Sequence, residues 1–368
     1  MSFEPDWASS PGATISRLMT LRDIASDELA FGLGMEAQDL NALIGGNIRI
    51  TREVAEALAN CLGSSPRFWM ARDRTYLLEA ERLRRSSVKD IEAWSKALPL
   101  KSMREFGWLS DVKGEHRYNE LLSFFGCKTL SEWGQRYSAG VGAVAFRTSF
   151  AFEADAMATL VWLRIAERQV EKQKLNRYDE QAFEALLPHL KRISVFKQPK
   201  TFVPRLQAAC HSVGVALTTA RAPRGCRASG ASWVSKTGNP VIHLSFRHRS
   251  DDHFWFTFFH EAGHVLLHRE NHIDVDGSDP ALFGSTTNRE AEADAFAQEA
   301  LVPSDIRKDI LNGRVAPSKV IAAAKASGVT AGIIVGQLEK TGALPHGKMG
   351  FLKRRYRWED DPYLPVLG

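Results

Sequence analysis

Hydrophobic and polar positions follow a helical period over most of the chain and a strand period in one short stretch. In ATISRLMTLRDI the spacing of Ile15, Leu18 and Leu21 predicts a helix. SDELAFGL follows, with Ser26 as its cap and Asp27 and Glu28 in the first turn, where acids complement the helix dipole. Gly34 ends it, MEAQDLNALI forms the next helix, and Gly45-Gly46 stops that one. Two helices around a tight glycine-containing turn make a helix-turn-helix candidate. Thr51 then caps REVAEALANCLG, where Val54, Leu58 and Leu62 form one apolar stripe.

Residues 77–150 read as a helical connecting region. LLEAERLRR predicts a basic helix, and the Trp and Phe residues of IEAWSKALPLKSMREFGWL and YNELLSFFGCKTLSEW fall at helical intervals suited to a core. GVGAVAFRTSF (140–150) is expected to be a short extended piece. ADAMATLVWLRIAERQVEKQ spaces its apolar residues for one helix face, with Glu167 and Lys172 on the polar side. FEALLPHLKRI adds a further helix, with His189 read as a surface histidine. From 202 the pattern changes. A helix ends at Gly214, VALTTA reads as a strand, and ASGASWVSKTGNPVIHLSF reads as a hairpin of strands 230–235 and 241–246 around Lys236–Asn239. Pro240 suits the start of the second strand.

Composition places the chain among globular proteins, with 368 residues, 44% hydrophobic and 25% charged. Absence of an apolar run of about 18 residues argues against a transmembrane helix. MSFEPDWASSPGATISRL lacks a basic region followed by an apolar one, so no signal peptide is expected there. Cys61, Cys127, Cys210 and Cys226 form no C-x-x-C, which points to reduced thiols in a cytoplasmic protein and not to a cysteine metal site. The net charge of +5 is uneven: residues 1–75 hold 7 Lys/Arg and 10 Asp/Glu, a net of −3. The excess lies in RLRR (82–85) and KMGFLKRRYR (348–357), clusters that either meet phosphate or form solvated faces.

The chemistry concentrates in FWFTFFHEAGHVLLH. His260 and His264, four residues apart on a helix, can turn two imidazoles to one metal, and Glu261 between them can move a proton. Ser250, Asp251 and Asp252 offer caps for this helix, expected to begin near His253, with Phe254, Phe258 and Val265 burying its back. A third ligand must come from elsewhere. His268 lies eight residues from His260, about 12 Å along a continuous helix, and is set aside as structural. A metzincin would need glycine and histidine where Leu267 and Glu270 stand. In TTNREAEADAFAQEALVPSD, Thr287 or Asn288 can cap a helix that puts Glu290 in its first turn and Asp294 four residues on. Glu290 is the favoured ligand and Asp294 the group that fixes a ligand histidine's tautomer. Glu292 points about 200° away from Glu290. A helix, a small sheet and a metal helix suit a compact zinc peptidase, in which an edge strand, 230–235 or 241–246, holds substrate as an added strand. His243, His253, His272 and Arg247 are near in sequence, and none is assigned to stabilise an oxyanion.

Two resemblances follow. GGNIRITREVAEALANCLGSSPRFWMARDRTY (45–76) resembles the XRE/HigA-type helix-turn-helix domain. That implies that the helix near 36–44 enters a DNA major groove, where Gln38 and Asn41 could read adenine edges while Glu36 and Asp39 repel phosphate. DNA binding and a role in dimerisation or partner docking both stay open. HEAGHVLLH, followed after about 25 residues by E-x-x-A-D-A-F-A-Q-E-A-L-V-P, resembles the ImmA/IrrE family of metallo-endopeptidases over about 150–345. It implies a cytoplasmic zinc protease that cleaves a repressor or antitoxin, with His260, His264 and Glu290 holding Zn2+ and Glu261 as catalytic base.

The expected fold is mainly α with a small β-sheet. An all-α helix-turn-helix domain (1–76) and the connecting region (77–150) precede an α+β, zincin-like domain of gluzincin type (151–345) and a basic C-terminal tail (346–368). The expected function is zinc-dependent cleavage of a regulatory protein, with double-stranded DNA and a second copy of the chain as further candidate partners and no membrane. The rival is a DNA-binding regulator or antitoxin-like protein whose C-terminal domain senses a metal or ligand.

Overall fold

The computed structural model describes residues 10–137, 154–268, 274–275 and 287–368, without the side chains of 79–88, 154, 274–275 and 287. The expected extended piece at 140–150, His272, and the side chains of RLRR and Thr287 therefore lie outside the described residues. The chain is mostly helical with a small mixed sheet and divides into two compact units, Met1–Ala93 and Trp94–Gly368.

The first unit contains α1 (Pro11–Arg22), α2 (Ser26–Leu33), α3 (Ala37–Ile44), α4 (Arg52–Leu62) and most of α5 (Pro66–Ala97), a single helix across the boundary expected at 76/77. Ile15, Leu29, Leu40, Leu43, Leu58, Leu62 and Trp69 form its core. The Trp69 indole N–H donates to the Gly63 carbonyl at 3.0 Å, and Thr51 caps α4 by accepting from Val54 N–H. Gly34 stops α2 in the left-handed conformation. Two local expectations fail. Ala25, not Ser26, caps α2, with no side-chain hydrogen bond, so Ser26 is already helical. Leu21 is 69% exposed, because α1 turns only the side bearing Ile15 to the core.

The second unit opens with α6 (Leu100–Glu105), α7 (Gly114–Phe125) and α8 (Leu130–Tyr137). Trp94, Phe125 and Trp133 pack with ring centroids 5.5–6.0 Å apart, the core use expected of these aromatics. In α9 (Ala154–Val170), residues 156–166 are buried all round, not along one face. Arg164 within it is accommodated by donating to the Phe124 carbonyl and pairing with Glu167 and Glu171. Then come α10 (Glu180–Ile193), where His189 is exposed, and α11 (Pro199–Ser212).

The sheet consists of β1 (Ala216–Thr219), β2 (Gly230–Val234), β3 (Pro240–Leu244) and β4 (Asp274–Val275), in the order β1-β3-β2-β4. β3 pairs parallel to β1 and antiparallel to β2, so the expected hairpin forms and Pro240 begins its second strand. α12 (Asp251–Leu267) carries HEAGH and is buried round nearly its whole circumference. It lies against β2, β3, α13 (Thr287–Leu301) and α16 (Ala331–Lys340), and α14 (Ser304–Leu311) and α15 (Pro317–Ser327) complete the helical side. Among the described residues no single helix is long and apolar enough to cross a membrane. α15 and α16 together pass on composition, but they meet at 110° and place Val320, Ile333, Ile334 and Leu338 in the core.

Residues 346–368 are not a loose basic tail. A 3-10 turn (Gly350–Leu352) leads to β5 (Tyr356–Arg357), which pairs with β6 (Val366–Leu367), and Tyr356 is buried in the core. Lys353 lies between Asp252 and Glu339, 2.6 Å from each, with all three side chains under 8% exposed. Arg354 donates its backbone N–H to Asp251 and its guanidinium to the carbonyls of Ser194 and Phe196. Lys353 and Arg354 are thus used internally and fasten the C-terminal segment to the start of α12, while Lys348, Arg355 and Arg357 are exposed.

Candidate metal centre

Two close approaches set the geometry. At Gly263 an added Cβ would lie 3.1 Å from the Phe296 ring and 3.3 Å from Ala293 Cα, so glycine here lets α13 cross close to α12. At Gly230 an added Cβ would lie 2.5 Å from both Glu261 Oε1 and Thr257 Cγ2, so β2 passes directly over the next turn of α12. Both follow from the local sequence, since any side chain would hold the elements apart.

This packing brings together residues far apart in sequence. His260 Nε2 and His264 Nε2 are 3.1 Å apart, Glu290 Oε2 is 3.2 Å from His260 Nε2, and Glu290 Oε1 is 3.5 Å from His264 Nε2. Zinc ligands at about 2.0–2.1 Å from the ion in tetrahedral array sit about 3.3–3.4 Å from one another, so the three donors are spaced to share one ion. Asp294 Oδ1 lies 3.0 Å from His260 Nδ1 and, as an acceptor, requires an N–H there. The lone pair of His260 is thereby placed on Nε2, facing the other two donors. The histidines are almost wholly buried, and Glu290 is one-third exposed.

Asp294 also accepts from Lys340 at 2.7 Å, and the ammonium lies 4.3 Å over the Phe256 ring. Burial pushes the Asp294 carboxyl up, but the His260 and Lys340 hydrogen bonds prevail and hold it below the usual carboxylate range. Glu261 is fully buried, and its Oε2 accepts from the Ser232 hydroxyl on β2 at 2.7 Å. A cleft of about 570 Å³ opens beside the cluster, with His260, Glu290, Asp294, Phe256, Thr257 and Lys340 on its wall.

Other sequence candidates fall elsewhere. α12 begins at Asp251, two residues before His253, and Ser250, one of the expected caps, is its cap residue without a side-chain cap bond. Glu292 sits away from the histidine pair and meets His268 at 2.8 Å. The helix ends at Leu267 without a glycine, so His268 leaves the helical path, yet it does not join the three-donor cluster. His243 is buried in β3, 2.8 Å from the Thr218 hydroxyl and 4.1 Å from the Trp162 ring centroid. Its pKa is pushed down to about 3 by burial, which keeps it neutral. His253 stacks on His248 at the rim of the cleft, and burial lowers it as well. Arg247 donates to the Arg227 carbonyl. The expected substrate edge also needs correction. Strand 241–246 is interior, paired on both sides, and β2 has β4 on its outer side at Ala231 and Ser232. The chain's own Asp274–Val275 returns to this edge after α12.

Sequence reasoning missed Ser232, Lys340 and the His268–Glu292 pair. No local signal marks the first two, whose partners lie 29 and 46 positions away.

The cluster, with one acid behind a histidine and another beside it on the same helix, lies within a recognisable segment. Residues 225–335 match the family model of the IrrE N-terminal-like domain, Peptidase_M78. The Peptidase_M78 segment spans β2 to the first turns of α16 and contains every residue of the cluster, within narrower limits than the 150–345 expected from the sequence. It supports the ImmA/IrrE resemblance for this segment and does not include residues 1–224. No curated protein matches the chain. At the helix-turn-helix candidate, Gln38 and Asn41 are both exposed on α3, as are Glu36 and Asp39 beside them.

Proposed function

We propose that the Peptidase_M78 segment is a zinc-dependent endopeptidase and that its substrate is a regulatory protein of repressor or antitoxin type. The observation that carries this reading is the 3.1–3.5 Å spacing of the His260, His264 and Glu290 donor atoms. When bound, zinc supplies Lewis-acid polarisation of the scissile carbonyl and of an attacking water. The chain's own residues do the rest. Glu261 takes the water's proton and returns it to the leaving amine, held for that transfer by the Ser232 hydroxyl. Asp294 orients His260 and ties the site to α16 through Lys340. Phe256 and Thr257 line the cleft wall beside the cluster, where substrate would lie.

The first unit is proposed as the targeting module, acting on DNA or on the regulator itself. The exposed Gln38 and Asn41 suit base contacts, while Glu36 and Asp39 weaken any phosphate attraction.

The reading is tested by incubating the zinc-loaded full chain with the regulator encoded beside it and following intact mass. One or two defined cuts are expected, abolished by a chelator and restored by zinc. An intact regulator, with zinc-loaded protein and the two proteins shown to associate, would count against the peptidase.

A further inference from the structure

His268 and Glu292 remain unused by the proposed chemistry, yet they are built into the site. His268 is the cap residue of α12; its backbone N–H still donates to the His264 carbonyl at 3.0 Å, and the two rings lie with centroids 5.2 Å apart. The two Nδ1 atoms are 3.1 Å apart. On its far side, His268 Nε2 is 2.8 Å from Glu292 Oε2, and its side chain is only 7% exposed. Glu292 is itself held: Asn288 donates to its other oxygen at 2.8 Å, while Arg289 donates to the His268 carbonyl.

Donor and acceptor roles propagate along this line. A carboxylate only accepts, so His268 must carry its proton on Nε2. A neutral His268 then offers a lone pair at Nδ1, which accepts the Nδ1–H of His264. The lone pair of His264 is left on Nε2, the atom 3.1 Å from His260 Nε2. Asp294 does the same for His260 in a single step.

We infer that His268, backed by Glu292, is a positioning residue that sets the tautomer and ring orientation of His264 for metal. The two imidazoles of the HEAGH helix are thus oriented from two acids on α13, Asp294 directly and Glu292 through a third imidazole. This inference rests on the zinc reading above but adds a role that the three-donor cluster does not require. A purely structural His268 would matter to folding and leave the metal's surroundings unchanged.

The test measures zinc affinity by chelator competition, and the visible spectrum of the cobalt-substituted protein, for wild type, His268→Ala, Glu292→Ala and the double variant. His268→Ala is expected to weaken zinc roughly 10- to 100-fold and to shift the cobalt bands. Glu292→Ala should act in the same direction by less, and the double variant should be no weaker than His268→Ala, because both cut one line of hydrogen bonds. Glu292 is half exposed, so its variant should fold even if His268→Ala does not. Wild-type affinity with an unshifted cobalt spectrum in Glu292→Ala overturns the inference, as do losses that simply add in the double variant. A wild-type chain that holds no zinc overturns the inference together with the zinc reading, whereas zinc-loaded wild type with unaffected variants overturns the inference alone.

Discussion

Glu261→Gln is expected to keep zinc at wild-type stoichiometry while slowing cleavage of the cognate regulator by at least about 10²-fold, the range lost when a positioned proton-transfer group is removed. Glutamine has nearly the shape of glutamate, and its carbonyl oxygen can still accept the Ser232 hydroxyl, now 2.7 Å from Glu261 Oε2. Glu261 is fully buried and is not one of the three converging donors, so metal binding should survive. What the amide cannot do is accept a proton and return it. Zinc content by elemental analysis and cleavage by intact mass separate the two properties. Unchanged cleavage would remove Glu261 from the mechanism; joint loss of zinc and cleavage would make it a metal-site residue instead.

Lys353→Ala is expected to destabilise the second unit by roughly 3–5 kcal/mol, the range for removing one partner of a buried ion pair. Asp252 and Glu339, both under 8% exposed, would then lose their shared ammonium and keep, as basic partners, the imidazoles of His253, 3.9 Å from Asp252, and His346, 3.5 Å from Glu339. Burial raises each carboxyl, but the hydrogen bond from Lys353 prevails and holds both below their ordinary values of 3.8 and 4.5. Burial lowers the lysine, but its two carboxylate partners prevail and hold it above 10.5. Depressed acids contribute stability that is present above their unfolded values and lost as pH falls through the folded ones. The raised lysine contributes stability that is present below 10.5 and lost as pH rises through its folded value. The difference between wild type and Lys353→Ala, read from urea unfolding, should therefore be flat from about pH 5 to 10 and shrink in acid below about pH 4. A difference under about 1 kcal/mol at neutral pH would show that the clamp is energetically idle. Because Asp252 lies in the first turn of α12, some loss of zinc affinity should accompany the destabilisation.

The sequence carried much of this site because its first part is local. His260, Glu261 and His264 lie within one and a half turns, and the four-residue step to Asp294 is visible from Glu290 alone. The hairpin and the helix that bears HEAGH were legible for the same reason: turn residues and periodicity act over a few positions. Errors arose where tertiary packing decides. The helix at 154–170 looked one-sided, yet it is surrounded; Arg164 pairs with Glu167 and Glu171 at helical spacing, but the Phe124 carbonyl that it also reaches lies 40 positions away. Lys353 and Arg354 read as part of a basic tail because Asp252 and Asp251, to which they bind, stand 101 and 103 positions upstream. The sheet order puts 240–244 inside because β1 pairs on its far side from β2, a partner 25 positions upstream, and the β4 that covers β2 is only two residues long. The pairing of His268 with Glu292 stayed unseen because 24 positions separate them.

The central claim is that His260, His264 and Glu290 share one zinc ion. A crystal of the zinc-loaded full chain, with anomalous diffraction collected on both sides of the zinc edge, tests it most directly. The expected result is a single strong peak within about 2.0–2.2 Å of His260 Nε2, His264 Nε2 and a Glu290 oxygen. A peak held by other residues, or none at these three under zinc saturation, would contradict the account.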